Sequence, residues 1–386
     1  MKYDIRNWKP RTTWADIPEE ETYNSWDIPR KESKSDFEQD FDEVLDALKA
    51  GAIKGKAFRE LAITPRKKLL DDWFREGDTG FVFSFRGVGK TWLAYAVARA
   101  IARGEGVGPW AKGEEAARVC YLDGEMPAEL MQERDKAFGE PCENLILINH
   151  EILFDRTGLV LNLARAEVQT AITQWCIDGG FKVLVIDNLS TLVSGVKEND
   201  SDAWEILLPW LLDLRRKKIA GLLVHHAGRN GEMRGTTRRE DSVFWIIKLE
   251  REDNYTDAGC SFLVRFTKNR NSAQSNSYTW TIRPTGILAD QIEISYKVAA
   301  FEDLVLDLIR DGVVSCNVIA KELDSSPPTV SRAAKKLVAE GKITANGRKY
   351  HPVEDCLFSP LDKELFERAD EPAKHAKNVK REGSKK

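Results

Sequence analysis

The run Arg86-Gly87-Val88-Gly89-Lys90-Thr91 carries the most specific chemistry in the chain. It follows the apolar Phe81-Val82-Phe83 and opens a helical pattern that runs from Trp92 to Ala102. Strand, glycine loop, Lys-Thr and helix, in that order, make a phosphate cradle. Glycines let backbone N–H groups turn inward around an anion, and the helix start adds the positive end of its dipole. On this reading Arg86 to Trp92 line a triphosphate, Lys90 reaches its outer phosphates and the Thr91 hydroxyl holds Mg2+. The eight-residue form of the motif asks for glycine at 84, where this chain has Ser84, so that position must keep ordinary backbone angles.

Four further groups fit around such a loop. Val183-Leu184-Val185-Ile186-Asp187 is a buried strand ending in a carboxylate, placed to hold Mg2+ beside the phosphates. Tyr121-Leu122-Asp123-Gly124-Glu125-Met126-Pro127 leaves a strand with two carboxylates around a glycine. Phosphoanhydride hydrolysis needs a carboxylate to orient the attacking water. Glu125 is the choice for that, with Asp123 as a turn or Mg2+-shell residue; the plainer alternative for Glu125 is a helix-capping loop residue. Leu222-Leu223-Val224-His225-His226 offers a polar group facing the γ-phosphate. Period-two alternation selects His226, against the alternative of two histidines satisfied locally. Lys268-Asn269-Arg270 ends a later strand, where a Lys and an Arg could reach an anion on an adjacent subunit.

The elements that must position these groups follow from hydrophobic periodicity. Phe37, Phe41, Val44, Leu45 and Leu48 predict a helix that Gly51 could end, and Leu69, Leu70, Trp73 and Phe74 lead toward the first strand. Eight apolar runs then read as strands: 81–83, 119–122, 145–148, 183–186, 222–224, 245–249, 262–266 and 278–282. The first five are short and aliphatic, as buried parallel strands are; the last three lack long intervening helices and are expected to be antiparallel.

Residues 300–353 predict three short helices and two strands around an Asn346-Gly347 turn, a winged helix-turn-helix. Ser326, Thr329, Ser331, Arg332, Lys335 and Lys336 lie on or beside its third helix, off the apolar stripe. Such residues read phosphates and base edges in a major groove, although winged helices also serve as protein-contact modules. The expected division is an arm at 1–36, an ATPase domain at 37–295, the winged helix at 300–353 and a charged tail at 354–386. The arm's Trp8, Trp14, Tyr23 and Trp26 suit either disorder or docking on a neighbouring subunit. The tail's lysines suit solvation or loose contact with nucleic acid.

Composition bounds these readings. The chain has 386 residues, 42% hydrophobic and 31% charged, with a net charge of −4. Overall charge therefore gives no pointer to nucleic acid, and any such contact must come from local basic patches. The six cysteines form no CxxC pair and suit a reduced, cytoplasmic setting. No run reaches the length of a membrane span, and no signal peptide is expected.

Taken together, the segments RGVGKTW, YLDGEMP, VLVIDNL, HHAGR, RGTTRRED and KNR resemble the RecA-like hexameric ATPases related to the plasmid replication helicase RepA and, more distantly, to DnaB. They occur in that family's order over residues 65–285. The resemblance implies an α/β fold: a RecA-like P-loop core with a mostly parallel sheet and an antiparallel extension. To this the chain adds the winged helix. It implies ATP and Mg2+ as cofactors, Glu125 as catalytic glutamate, Asp187 with Thr91 at the metal, His226 as γ-phosphate sensor and Lys268 with Arg270 acting across a subunit interface. It places Arg229, Arg234, Arg238 and Arg239 in a loop of the central channel. The function it implies is a ring-forming, commonly hexameric, DNA helicase or translocase of a plasmid, phage or mobile element, threading single-stranded DNA. The winged helix would hold duplex DNA or a replication protein. The alternative is an ATP-gated DNA-binding regulator or scaffold that unwinds nothing.

Overall fold

The computed structural model describes residues 36–193, 200–228, 237–251, 260–272, 277–285, 291–323, 325–347 and 349–353. The expected arm and tail, apart from Asp36, lie outside these residues. The chain divides into two compact units, with the boundary between Pro65 and Arg66.

In the first unit, α1 (Asp36–Gly51) forms over the predicted apolar spacing and ends at Gly51, followed by α2 (Gly55–Glu60). Phe41, Val44 and Leu48 of α1 are exposed.

The second unit opens on a small hairpin, β1 (Lys68–Leu70) and β2 (Phe74–Arg75). The main chain then runs β3 (Thr79–Ser84), α3 (Lys90–Arg103), β4 (Val119–Asp123), α4 (Ala128–Ala137), β5 (Leu145–Asn149), α5 (His150–Thr157), α6 (Ala166–Asp178) and β6 (Val183–Asp187). It continues through α7 (Leu189–Leu192), α8 (Asp200–Arg216), β7 (Ala220–His226), α9 (Thr237–Ser242), β8 (Trp245–Arg251), β9 (Cys260–Asn269), β10 (Tyr278–Thr285) and β11 (Gln291–Val298). These strands make one nine-stranded sheet in the order β11-β10-β9-β8-β3-β7-β6-β4-β5.

Strand alternation splits the apolar residues between two cores, one on each face. Val82, Tyr121, Val183, Val185, Leu222 and Val224 meet α3 on one face. Phe81, Phe83, Leu122, Leu184, Ile186 and Leu223 meet α6, α7 and α8 on the other. A strand with both neighbours and both faces covered must be apolar throughout, which is why these runs lack polar alternation. On the α3 face, Trp73, Phe74, Trp110, Trp245 and Trp280 pack as a cluster of rings. The Trp245 indole occupies the space that a Cβ on Gly80 would need.

The structure corrects four expectations. β8 is not antiparallel to the core: it pairs parallel with β3, Gly80 opposite Trp245, and the reversal begins at β9. Residues 69–74 form the β1–β2 hairpin rather than a lead-in to the sheet. An unexpected strand, β11, extends the antiparallel side; the alternation Ile292, Ile294, Tyr296, Val298 is the signal for it. Asn346 is no turn residue, since it pairs with Lys349 inside the C-terminal hairpin.

That hairpin, β12 (Ile343–Asn346) and β13 (Lys349–Pro352), follows α10 (Phe301–Arg310), α11 (Cys316–Glu322) and α12 (Pro327–Ala339). Pro327 and Pro328 start α12, and the Ser326 side chain caps it by accepting from the Thr329 N–H. Val305, Ile309, Ile319, Val330, Ala334, Leu337 and Ile343 give the module its own core.

An ionic clasp joins this module to the sheet. Lys248 of β8, 5% exposed, sits among Glu250 (2.5 Å), Asp307 (3.4 Å) and Asp311. Arg265 of β9 pairs with Asp307 and with Asp311 (2.7 Å). The three carboxylates lie close enough together to hold a cation, but the Lys248 ammonium already stands among them. No described helix is long and apolar enough to cross a membrane.

Candidate functional site

The phosphate loop leaves the C-terminal end of β3 and enters α3 at Lys90. Ser84 is the last residue of the strand and takes no left-handed backbone angles. Its hydroxyl donates to the Phe85 carbonyl at 2.8 Å. The Lys90 ammonium donates to the carbonyl oxygens of Phe85 (2.8 Å) and Ser84 (3.3 Å) and lies 3.3 Å from Ser84 Oγ. The serine that departs from the motif thus serves the lysine. Gly89 has φ +127° and a Cβ there would lie 2.6 Å from the Phe262 ring, so both backbone and space demand glycine. The Gly87 carbonyl accepts from Arg251 Nη2 at 3.2 Å. Trp92, one turn into α3, is covered by the Arg134 guanidinium, 4.1 Å from its ring centroid.

Two strand ends place carboxylates beside the loop. Asp123 and Asp187 are register partners at the ends of β4 and β6, and both are buried. Asp187 accepts from the Tyr121 hydroxyl at 2.7 Å and from the Thr91 side chain. Burial pushes its carboxyl above the usual range, partly offset by those hydrogen bonds and by Lys90. Asp123 Oδ1 accepts the backbone N–H groups of Glu125 (3.2 Å) and Met126 (2.8 Å), which makes it the turn residue of the segment. Burial pushes Asp123 up to about 7. Burial pulls Lys90 down to about 8, against the opposing pull of Asp187 and Glu125.

Gly124 carries the chain away at a close approach: its N–H donates to the Asp187 carbonyl at 2.8 Å, and a Cβ would fall 2.5 Å from Leu192. The exit is fixed from β5 and α5, where Asn149 Nδ2 donates to the Met126 carbonyl (2.7 Å) and Glu151 accepts from the Ala128 N–H (2.7 Å). Glu125 is thereby held at the cleft with its side chain 60% exposed.

His226 ends β7 with Nε2 3.9 Å from Glu125 Oε2. The buried His225 points to the other face, toward Phe81 and Ser190. Between Glu125 and His226 stands a residue that sequence reasoning passes over. Asn188 Nδ2 donates to Glu125 Oε2 and lies 3.3 Å from His226 Nε2. Its position directly after Asp187 is the available signal.

The structure thus brings together Arg86 to Trp92, Glu125, Asp187 and His226. Lys268 and Arg270 lie elsewhere. Lys268 is the register partner of Ile246 and Arg270 N–H donates to the Phe244 carbonyl, so both sit at the end of the sheet opposite the phosphate loop. Their side chains donate to the carbonyls of Glu240 and, at 2.6 Å, Asp241. Of the basic loop, Arg229 and Arg234 lie outside the described residues. Arg238 and Arg239 fall within α9, where a loop was expected. Arg332, Lys335 and Lys336 are exposed on α12, opposite the buried Val330, Ala333, Ala334 and Leu337. Lys336 pairs with Glu302 at 3.1 Å.

The donor set fits a magnesium nucleotide. A hydroxyl and two carboxylates supply hard oxygens of the kind Mg2+ takes, and one buried ammonium faces the loop that turns around phosphate.

Residues 47–232, just under half of the chain, match a family model described as an AAA domain. Among solved structures, the fold is similar to that of a KaiC-like protein from the hyperthermophilic archaeon Pyrococcus horikoshii OT3. That match has 16% identity and a TM-score of 0.40, and it covers 57% of this chain and 90% of that one. It is also similar to the flagellar accessory protein FlaH of Methanocaldococcus jannaschii, at 12% identity and a TM-score of 0.40, covering 58% and 91%. No curated protein matches the chain. Over residues 47–232 the family match and the sheet together assign an AAA-type P-loop ATPase domain, whose α/β core is mostly parallel with an antiparallel extension.

Proposed function

We propose that this ATPase works as a ring, hydrolysing ATP between neighbouring subunits to move along single-stranded DNA as a helicase or translocase of a plasmid, phage or mobile element. The observation that carries the reading is the separation of Lys268 and Arg270 from their own phosphate loop. Arg270 is level with Thr79, five residues before Ser84. At about 3.3 Å per residue that is about 16 Å along the strand, longer than a side chain. A cation there serves a nucleotide only on another copy, where it stabilises charge on the transferring phosphate.

Within one subunit, Lys90 holds the outer phosphates and Thr91 and Asp187 hold the metal. When bound, Mg2+ and ATP supply the polarised γ-phosphate. Glu125 orients the attacking water and accepts its proton, and His226 senses the phosphate. The arginines at 229, 234, 238 and 239 track the DNA backbone.

A second reading, an ATP-gated regulator bound to duplex DNA, draws support from α12. Its exposed Arg332, Lys335 and Lys336 follow a Ser326 cap on the side away from the module's core, as a winged helix would present a recognition helix.

Mixing experiments test the first reading. Lys90→Ala and Arg270→Ala should each abolish turnover, Arg270→Ala should still bind nucleotide, and a mixture of the two should regain part of the rate. Silence in every mixture, with protein that stays monomeric alongside ATP and single-stranded DNA, overturns it. Unwinding of a forked DNA separates the readings: stimulation by duplex alone, without strand separation, selects the regulator.

A further inference from the structure

We propose that Asn271 and the buried Asp78 are positioning residues: they hold the Arg270 turn where its side chain can reach the nucleotide of a neighbouring subunit. This rests on the ring ATPase reading above.

Arg270 is exposed, but the backbone that carries it is bonded before and after it. Its N–H donates to the Phe244 carbonyl at 2.9 Å. One residue earlier, Asn269 Oδ1 accepts the N–H groups of Asn271 (3.1 Å) and Ser272 (3.2 Å), which fixes the bend. One residue later, the Asn271 side chain ties the bend to the interior. Its Nδ2 donates to the Trp73 carbonyl (2.8 Å) and to Asp78 Oδ2 (2.5 Å), and its Oδ1 accepts from Arg66 Nη2 (3.2 Å). An amide flip would set NH2 against the guanidinium and the oxygen against two acceptors, so this orientation is settled.

The anchor itself is deep. Asp78 is 0% exposed, and besides Asn271 it takes the Arg75 N–H at 2.9 Å and the Arg66 guanidinium. Arg66 also lies 4.7 Å from the ring centroid of Phe244, the residue whose carbonyl holds the Arg270 N–H. Burial pushes the Asp78 carboxyl above its usual range despite the bonds from Arg66, Arg75 and Asn271. The ionised carboxylate is therefore less favourable here than in water, and its burial is a cost to stability. A costly buried charge that grips one exposed turn points to geometry as its role. A cation that acts across an interface needs a fixed origin, because an error of about 1 Å at a reacting centre can slow a reaction about 100-fold. The Lys268 and Arg270 side chains donate only to the backbone carbonyls of Glu240 and Asp241, contacts that a neighbouring phosphate can replace.

Asn271→Ala removes the amide and leaves Arg270 in the chain. With the full-length protein, kcat for ATP should fall about ten-fold or more, while KM and the Kd for a fluorescent ATP analogue stay within about two-fold. Mixed with Lys90→Ala, whose Arg270 is intact, this variant should regain part of the rate; mixed with Arg270→Ala it should regain none. Arg66→Ala, at a partly exposed side chain, should lower kcat in the same way and decides the matter if Asn271→Ala does not fold. An unchanged kcat in either folded variant overturns the proposal. So does a loss of nucleotide binding in both, or a loss of rate that Lys90→Ala cannot complement, because the anchor would then serve only its own subunit. If Lys90→Ala and Arg270→Ala fail to complement each other, the ring reading fails and this inference with it. If that pair complements and Asn271→Ala with Lys90→Ala does not, the inference alone fails.

Discussion

Two buried charged clusters share this sheet and are built on opposite terms. In the clasp, Lys248 and Arg265 are interleaved with Glu250, Asp307 and Asp311, each charge within reach of an opposite one. In the nucleotide cleft, Asp123 and Asp187 are buried side by side and Lys90 is bonded to carbonyls rather than carboxylates. Burial accordingly pushes the two acids up and the lysine down. The first cluster satisfies its charges internally and holds two parts of the chain together. The second leaves charges that only an added anion and cation can satisfy, which is how a binding site differs from a joint.

The same substitution at the two buried lysines gives the largest contrast. Lys90→Met is expected to reduce ATP turnover by at least about 100-fold without lowering the unfolding free energy of the nucleotide-free protein. Lys248→Met leaves three carboxylates without their central cation and should cost about 3–5 kcal/mol. Denaturant unfolding of both variants, with parallel rate measurements, checks the pair; equal stability losses would erase the distinction.

A smaller effect is expected at Asp123. Its folded value near 7 lies above the usual carboxylate value. Between about pH 4 and 7 the folded chain therefore holds more protons than the unfolded one, and this group's contribution to stability falls as pH rises. Asp123→Asn keeps an oxygen for the Glu125 and Met126 N–H groups and removes the cost. The melting midpoint should rise by a few degrees, more at pH 8 than at pH 5. A midpoint that drops at pH 8 contradicts the account.

The smallest signal is a proton count. With Lys90 near 8 in the nucleotide-free protein, binding of a phosphate-bearing ligand at pH 8.5–9 should draw a fraction of a proton from solution, and affinity should weaken as pH rises through 8. Calorimetry in buffers of different ionisation enthalpy reads that uptake, and Lys90→Met should abolish it.

Most of this cleft is legible in the sequence because each piece sits where a strand or helix begins or ends. Glycine-Lys-Thr marks the start of α3, and Asp187 and His226 close apolar runs. What escapes is the part decided by three-dimensional neighbours. Nothing in the run marks Asn188, and only the approach of β4 and β7 brings Glu125 and His226 to its amide. β8 reads as antiparallel because no long helix precedes it, yet its parallel pairing with β3 depends on where the chain re-enters the sheet rather than on its own residues. The clasp is invisible for the same reason: Lys248 and Asp307 are 59 residues apart, and a lone lysine in an apolar strand carries no sign of its partner.

The Trp245 ring lying where a Gly80 side chain would be ties two distant positions into one heritable unit. A related chain with alanine or anything larger at the first should carry a small residue at the second. A lineage that changes either alone should be rare, or should show a compensating retreat of β8.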